Sequence, residues 1–322
     1  MQPPTIENIR AAREHVYAAM RPSPLLRHPL LDARIGAEVS VKHENHNPTG
    51  AFKVRGGLTL IARLSEADRR RGVISATTGN HGQSIAFAAA RAGVPCTLVV
   101  PEGSNPAKKA LMRAWGATLI EHGRDFDEAR ELVERLYIER GLRYVHSANE
   151  PDLIAGVATY ALEIFETLDD IDTVFVPVGA GSGAAGLILV RDALGLRTKI
   201  VGVGAERADA VARAWRTGDR TPSTSADTFA EGIATRVTFD LTFGILQRGL
   251  HDFVSLSEDE LKEGVRLAID LTHNLAEGAG AASLAAALRC RSRLQGRRVV
   301  CVMSGGNIDL AVLRGILAGA VA

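Results

Sequence analysis

Lys53 stands inside Thr49-Gly50-Ala51-Phe52-Lys53-Val54-Arg55-Gly56-Gly57, a frame that makes little sense for a solvated charge. Lysine as a rule keeps its ammonium in water. Here it follows a Pro-Thr-Gly turn and an aromatic ring. An amine held against apolar neighbours loses its proton more readily, and a neutral amine condenses with an aldehyde. Alone this is a weak signal, because single lysines are far more often surface residues. Three further clusters bear on it. Gly179-Ala180-Gly181-Ser182-Gly183 follows the apolar run from Thr173 to Val178 and opens an alanine-rich stretch. Glycines let backbone approach an anion, and a helix N-terminus offers N–H donors, so a phosphate suits this loop. Thr77, Thr78, Asn80 and His81 surround Gly79 where another helix should start, which suits a carboxylate, with a threonine cap as the plainer alternative. Ser304 ends a buried run, Val299 to Met303, with Gly305 and Gly306 behind it; by itself it reads as a strand-end turn residue.

A rival reading exists at the glycine loop. Gly181-Ser182-Gly183-Ala184-Ala185-Gly186 is a formal G-x-G-x-x-G after a strand, and Glu206 lies about twenty residues on, where a dinucleotide fold places its ribose-binding acid. A dehydrogenase has no need of Lys53 in its frame or of the Ser304 cluster.

The elements that must carry these residues alternate along the chain. Val73–Ser75, Cys96–Val100, Thr118–Ile120, Tyr144–Val145, Thr173–Val178, Lys199–Val203 and Val299–Met303 read as strands. Alanine-rich or amphipathic segments such as Gln83–Arg91 and Asp125–Glu139 read as helices between them. Such alternation argues for an α/β protein with parallel sheets.

Taken together, the four clusters resemble the fold-type II pyridoxal phosphate (PLP) enzymes, in the serine/threonine dehydratase and serine racemase branch. Thr49 to Gly57 is similar to that family's T-G-S-F-K-x-R-G-A. Ser75-Ala76-Thr77-Thr78-Gly79-Asn80-His81-Gly82-Gln83, Val176 to Gly183, and Met303-Ser304-Gly305-Gly306-Asn307 follow in the family's order. Ala180 and Ser182 depart from the usual run of four glycines but stay small. The resemblance implies a two-domain, tryptophan synthase β-like α/β fold, with parallel-sheet domains and helices on both faces. Residues 1–71 and 150–322 would form a discontinuous PLP-binding domain and residues 72–149 a small mobile one. An additional C-terminal effector domain is not expected.

The resemblance also implies roles. Lys53 would bond the cofactor and serve as base, and Phe52 would lie beside the ring, although core packing is the plainer reading. Gly179, Ala180, Gly181, Ser182 and Gly183 would hold the phosphate. Ser304 would meet the ring nitrogen, where a hydroxyl leaves the ring a weaker electron sink than a carboxylate does. Glu277 would sit under the cofactor, and Asn80 would touch its 3′-oxygen. Thr77, Thr78, Gly79, Asn80 and His81 would bind the substrate carboxylate, with Asn149 beside them. Thr78 occupies the position of a racemase acid on the face opposite the lysine, so it counts as catalytic. The implied reaction is β-elimination of water from a small β-hydroxy amino acid, giving a 2-oxo acid and ammonia. Racemisation on the same site is the alternative, and serine, threonine, 3-hydroxyaspartate and aryl-serines all stay open as substrates. Arg55-Gly56-Gly57 fits the dehydratases' R-G-A and not the K-D-R of cysteine synthases. Many relatives bind a divalent cation at the position of Glu206, with an acid where Ala212 stands here; no metal is therefore expected. A homodimer is.

Composition sets outer limits. At 322 residues, with 46% hydrophobic and 23% charged residues, the chain can bury a full core. A net charge of +1 gives no reason for a nucleic-acid or membrane partner. Cys96, Cys290 and Cys301 are sparse and without metal-ligand spacing, and the first ten residues lack a signal pattern. Both point to a cytoplasmic location.

Overall fold

The computed structural model describes residues 1–319. Its strands in chain order are β1 (Leu25–Arg27), β2 (Glu38–His43), β3 (Val73–Ala76), β4 (Cys96–Val100), β5 (Thr118–Glu121), β6 (Arg143–Tyr144), β7 (Thr173–Pro177), β8 (Lys199–Ala205), β9 (Asp252–Leu256) and β10 (Arg298–Met303). They form two sheets, ordered β5-β4-β3-β6 and β1-β2-β10-β7-β8-β9. Every pairing is parallel except that of β1 with β2. Central strands such as β10 are buried at nearly every position, as parallel strands covered on both faces must be.

The chain divides into two compact units. The first comprises Met1–Arg21 and Lys53–Thr159 and contains the four-stranded sheet. Ile74, Ala76 and Val99 of that sheet pack against Ala129, Val133 and Leu136 of the helix Phe126–Glu139. The second comprises Pro22–Phe52 and Tyr160–Ala322, with the six-stranded sheet and a larger core. There Val39, Val41, Phe175, Val201, Val203 and Cys301 pack with the alanine-rich helix Gly278–Arg289.

Packing draws this boundary away from the expected one at 71/72 and 149/150. The N-terminal helix Ile6–Tyr17 and the helices Lys53–Ala62, Glu66–Arg71 and Pro151–Val157 all belong to the first unit. The reason lies in two glycines. A Cβ at Gly56 would stand 2.8 Å from the Leu153 side chain and carbonyl, and one at Gly57 would collide with the Ser84 hydroxyl. Without side chains there, Lys53–Ala62 docks backbone-close on its neighbours. Residues 320–322 of the expected PLP-binding domain lie outside the described residues.

Candidate active site

Within the second unit, two of the sequence clusters are tied together, mostly through backbone. Ala51 forms an antiparallel bridge with Gly305, and the Phe52 amide donates to the Ser304 carbonyl at 3.0 Å. The Gly306 amide donates to the Gly50 carbonyl at 2.8 Å, and Asn307 Nδ2 to the Thr49 carbonyl at 2.8 Å. Thr49–Phe52 therefore lies along Ser304–Asn307 at the end of β10. Ser304 itself is buried. Glu277 joins this group: its amide donates to the Gly305 carbonyl at 3.1 Å, and its Oε1 lies 2.6 Å from where a Gly305 Cβ would stand.

The glycine loop turns from β7 into the helix Ser182–Ala193. Gly181 adopts φ +90°, a conformation that disfavours side chains. A Cβ at Gly179 would collide with the Gly232 carbonyl, and one at Gly183 would come within 3.5 Å of the Phe52 ring. Tyr160 donates its hydroxyl to the Gly183 carbonyl at 2.9 Å, and Thr242 Oγ1 donates to the Ala180 carbonyl at 2.7 Å. Gly232, Tyr160 and Thr242 thus shape the loop, yet none carried a sequence signal, because each acts through one contact distant in the chain.

Lys53 is the next residue after Phe52 and the first of the helix Lys53–Ala62. Ser84 donates to its carbonyl at 2.6 Å. Burial alone pulls the Lys53 amine down to about 8.

Also in the first unit, β3 leads through Thr77-Thr78-Gly79 into the helix Asn80–Ala92. Thr77 Oγ1 accepts from the amides of Gly79 and Gly82, both at 2.9 Å, so its hydroxyl does the capping named above as an alternative. Thr78 and Asn80 are half-buried at the turn. His81 is buried with Nε2 2.9 Å from Ser75 Oγ, whose proton goes to the Val145 carbonyl at 2.7 Å. The hydroxyl must therefore accept, which places the imidazole proton on Nε2 and leaves Nδ1 bare. Burial foremost, with Lys53 and His146 nearby, pulls His81 down to about 3. A neutral ring with a bare Nδ1 has no proton there to offer a carboxylate. The Asn149 amide donates to His146 Nδ1 at 3.0 Å, as does that of Ala148, shaping the turn before Pro151.

Glu206, at the end of β8, lies 3.7 Å from Arg289 Nη1. A carboxylate facing a guanidinium is poorly placed to hold a ribose, which weakens the dinucleotide reading.

A flat aldehyde cofactor with a phosphate arm fits the second unit. Its glycine loop packs backbone-close on Gly232 and ends at a helix N-terminus whose amides suit a phosphate, and Phe52 lies at the loop's edge, next in the chain to the residue bearing the amine. The family described as "Pyridoxal-phosphate dependent enzyme" matches residues 16–305. Two curated relatives span nearly the whole chain. An L-threonine ammonia-lyase of Thermotoga maritima is 35% identical over 97% of this chain and 78% of its own. An L-threo-3-hydroxyaspartate ammonia-lyase of a Pseudomonas species is 31% identical over 99% of this chain and 100% of its own. Among solved structures, maize serine racemase superposes with a TM-score of 0.91 at 25% identity, covering 99% of this chain and 98% of that one. A chain matched by this family model over residues 16–305, and by relatives over nearly its whole length, belongs to the pyridoxal-phosphate dependent enzyme family.

Proposed function

We propose that this protein is a PLP-dependent ammonia-lyase that removes water from a small β-hydroxy amino acid such as threonine or serine, giving a 2-oxo acid and ammonia. The observation that carries the reading is the joining of Thr49–Phe52 to Ser304–Asn307 and to the glycine loop, with Lys53 one residue on. The dehydrating relatives support the reaction class.

When bound, PLP supplies an electron sink for charge developing at the substrate Cα. The chain's own residues do the rest. Lys53, lowered to about 8, supplies a neutral amine that bonds the aldehyde. The Lys53 Nζ, when not bonded to the cofactor, would remove the substrate Cα proton. Gly179, Ala180, Gly181, Ser182 and Gly183 would hold the phosphate with backbone amides at the helix start. Ser304 would face the ring nitrogen with a hydroxyl, and Glu277, Phe52 and Asn80 would help hold the ring. The turn at Thr77, Thr78 and Gly79, with the amides that follow, receives the substrate carboxylate, and Asn149 borders it. Residues 72–149 would be the small mobile domain, and the enzyme would work as a cytoplasmic homodimer.

Racemisation on the same site is the second reading, favoured by the hydroxyl of Thr78 and the likeness to maize serine racemase. Two measurements test the proposal. Keto-acid release should be seen with at least one of serine, threonine and 3-hydroxyaspartate. Lys53→Ala should lose all cofactor that borohydride can fix to the protein; retention of a fixed adduct would remove Lys53 from its role.

A further inference from the structure

A chain of buried polar side chains in the second unit ends at the turn that leads into Lys53. It begins at Glu163, whose Oε2 accepts from Lys42 Nζ at 2.5 Å and from the Ser23 amide at 3.2 Å. Lys42 Nζ also donates to the Ser23 carbonyl at 2.8 Å. Ser23 Oγ donates to Glu44 Oε1 at 2.5 Å, and Glu44 Oε2 accepts from Asn47 Nδ2 at 2.6 Å. Asn47 Nδ2 then reaches the Ala51 carbonyl at 3.4 Å, while the Asn47 carbonyl accepts from the Gly50 amide at 2.7 Å. Lys42 is 1% exposed and Glu44 0%.

Burying charged groups is costly, and a buried ion pair is weak evidence for stability, since apolar residues of like volume often serve as well or better. What such a chain does supply is direction: each member accepts its neighbour in one geometry only. Its far end is the turn Asn47–Gly50, and the next residues are Ala51, Phe52 and Lys53. Asn47 grips that turn at both ends, through its side chain at Glu44 and Ala51 and its carbonyl at Gly50.

We propose that Glu44 and Asn47 are positioning residues for the catalytic lysine, with Ser23 and the Lys42–Glu163 pair holding Glu44 in place. This rests on the assignment of Lys53 made above. A brace of this kind acts on geometry, so loosening it should slow turnover more than it weakens substrate binding.

The test uses holoenzyme variants Asn47→Ala, Glu44→Ala and Glu44→Gln. Three readouts apply: kcat and KM for keto-acid release, the visible circular dichroism of bound cofactor, and the rate of cofactor capture by PLP-free protein. Asn47→Ala should lower kcat roughly tenfold, with KM within about twofold of the parent. It should also diminish the visible dichroism and slow capture. Glu44→Gln should stay near the parent, because its amide oxygen still accepts from Asn47 while the Ser23 hydroxyl turns to accept from Nε2. Glu44→Ala should resemble Asn47→Ala; if it fails to fold, Asn47→Ala decides. Unchanged kcat, dichroism and capture in Asn47→Ala, even with a lowered melting temperature, would overturn the proposal and leave the chain a structural brace. A Glu44→Gln protein as impaired as Asn47→Ala would overturn it too, by making charge rather than geometry the operative feature. A Lys53→Ala protein that keeps a borohydride-fixed adduct is a separate failure: it refutes the lysine assignment first and the brace's purpose with it.

Discussion

A lysine amine acts as a nucleophile only when neutral, and burial sets the pH at which the Lys53 amine becomes so. With its amine drawn down to about 8, the neutral fraction rises through that pH instead of near the usual lysine value of 10.5. Capture of PLP by cofactor-free protein should therefore accelerate as pH rises and level off above about 8. Stopped-flow absorbance across pH 6–11 (a range of about five units around that value) reads the inflection directly. An inflection near 10.5 would mean that the amine is solvated in solution. On the other side of the chemistry, Thr78 keeps the hydroxyl a racemase needs, but its added methyl restricts the χ1 rotamer. Elimination is expected to outrun inversion. Chiral chromatography of unreacted L-serine should find it still L while pyruvate accumulates, and inversion faster than keto-acid release would favour the racemase reading.

At the scale of elements, the turn from β3 into Asn80–Ala92 depends on one hydroxyl that accepts from two buried amides, those of Gly79 and Gly82. Thr77→Val keeps the shape and removes the acceptor. Leaving buried donors unpaired costs ~1–3 kcal/mol each, so urea unfolding should show a loss of about 2 kcal/mol or more. KM should rise as the carboxylate turn loosens. A variant as stable as its parent would show that the two amides find other acceptors. The strands most legible in the sequence were the apolar central ones, such as β4, β7 and β10, whose runs need no partner to be recognised. The strands that went unread were β1, β2 and β9. β1 is three residues long at a sheet edge. In β2, Lys42 and His43 break the apolar run, and Lys42 is tolerable only because Glu163 meets it from far along the chain. The motifs picked out Thr49–Phe52 and Ser304–Asn307, which the structure brings together. They could not announce Gly232, Tyr160 and Thr242, whose single long-range contacts leave no local pattern. His81 was read by residue type, and only the Ser75 and Val145 contacts reveal which nitrogen bears the proton.

For the molecule as a whole, the remaining question is whether turnover needs a divalent cation, and the charges around Glu206 argue that it does not. Hard cations require several oxygen ligands, and each lost carboxylate lowers affinity. Position 212, where a second acid would help, is alanine. Glu206 instead faces Arg289 Nη1 at 3.7 Å, and that guanidinium is anchored by Glu260 Oε2 at 3.1 Å and by the Ser255 carbonyl at 2.8 Å. A fixed positive charge so close repels an incoming dication. Asp209, the next carboxylate along the chain, accepts from Ser223 Oγ at 3.0 Å and lies 3.8 Å from Arg213. Among the described residues no group of three or more His, Cys, Asp or Glu could hold a metal ion. Keto-acid release is therefore expected to be the same in EDTA as in millimolar Mg²⁺ or Ca²⁺. The decisive contrary result would have three parts: a several-fold loss on chelation, recovery on adding Mg²⁺, and no metal response in Glu206→Ala. That pattern would require Arg289 to swing away from Glu206 when the ion binds, and Arg289→Gln should then tighten the metal's hold by removing the competing charge.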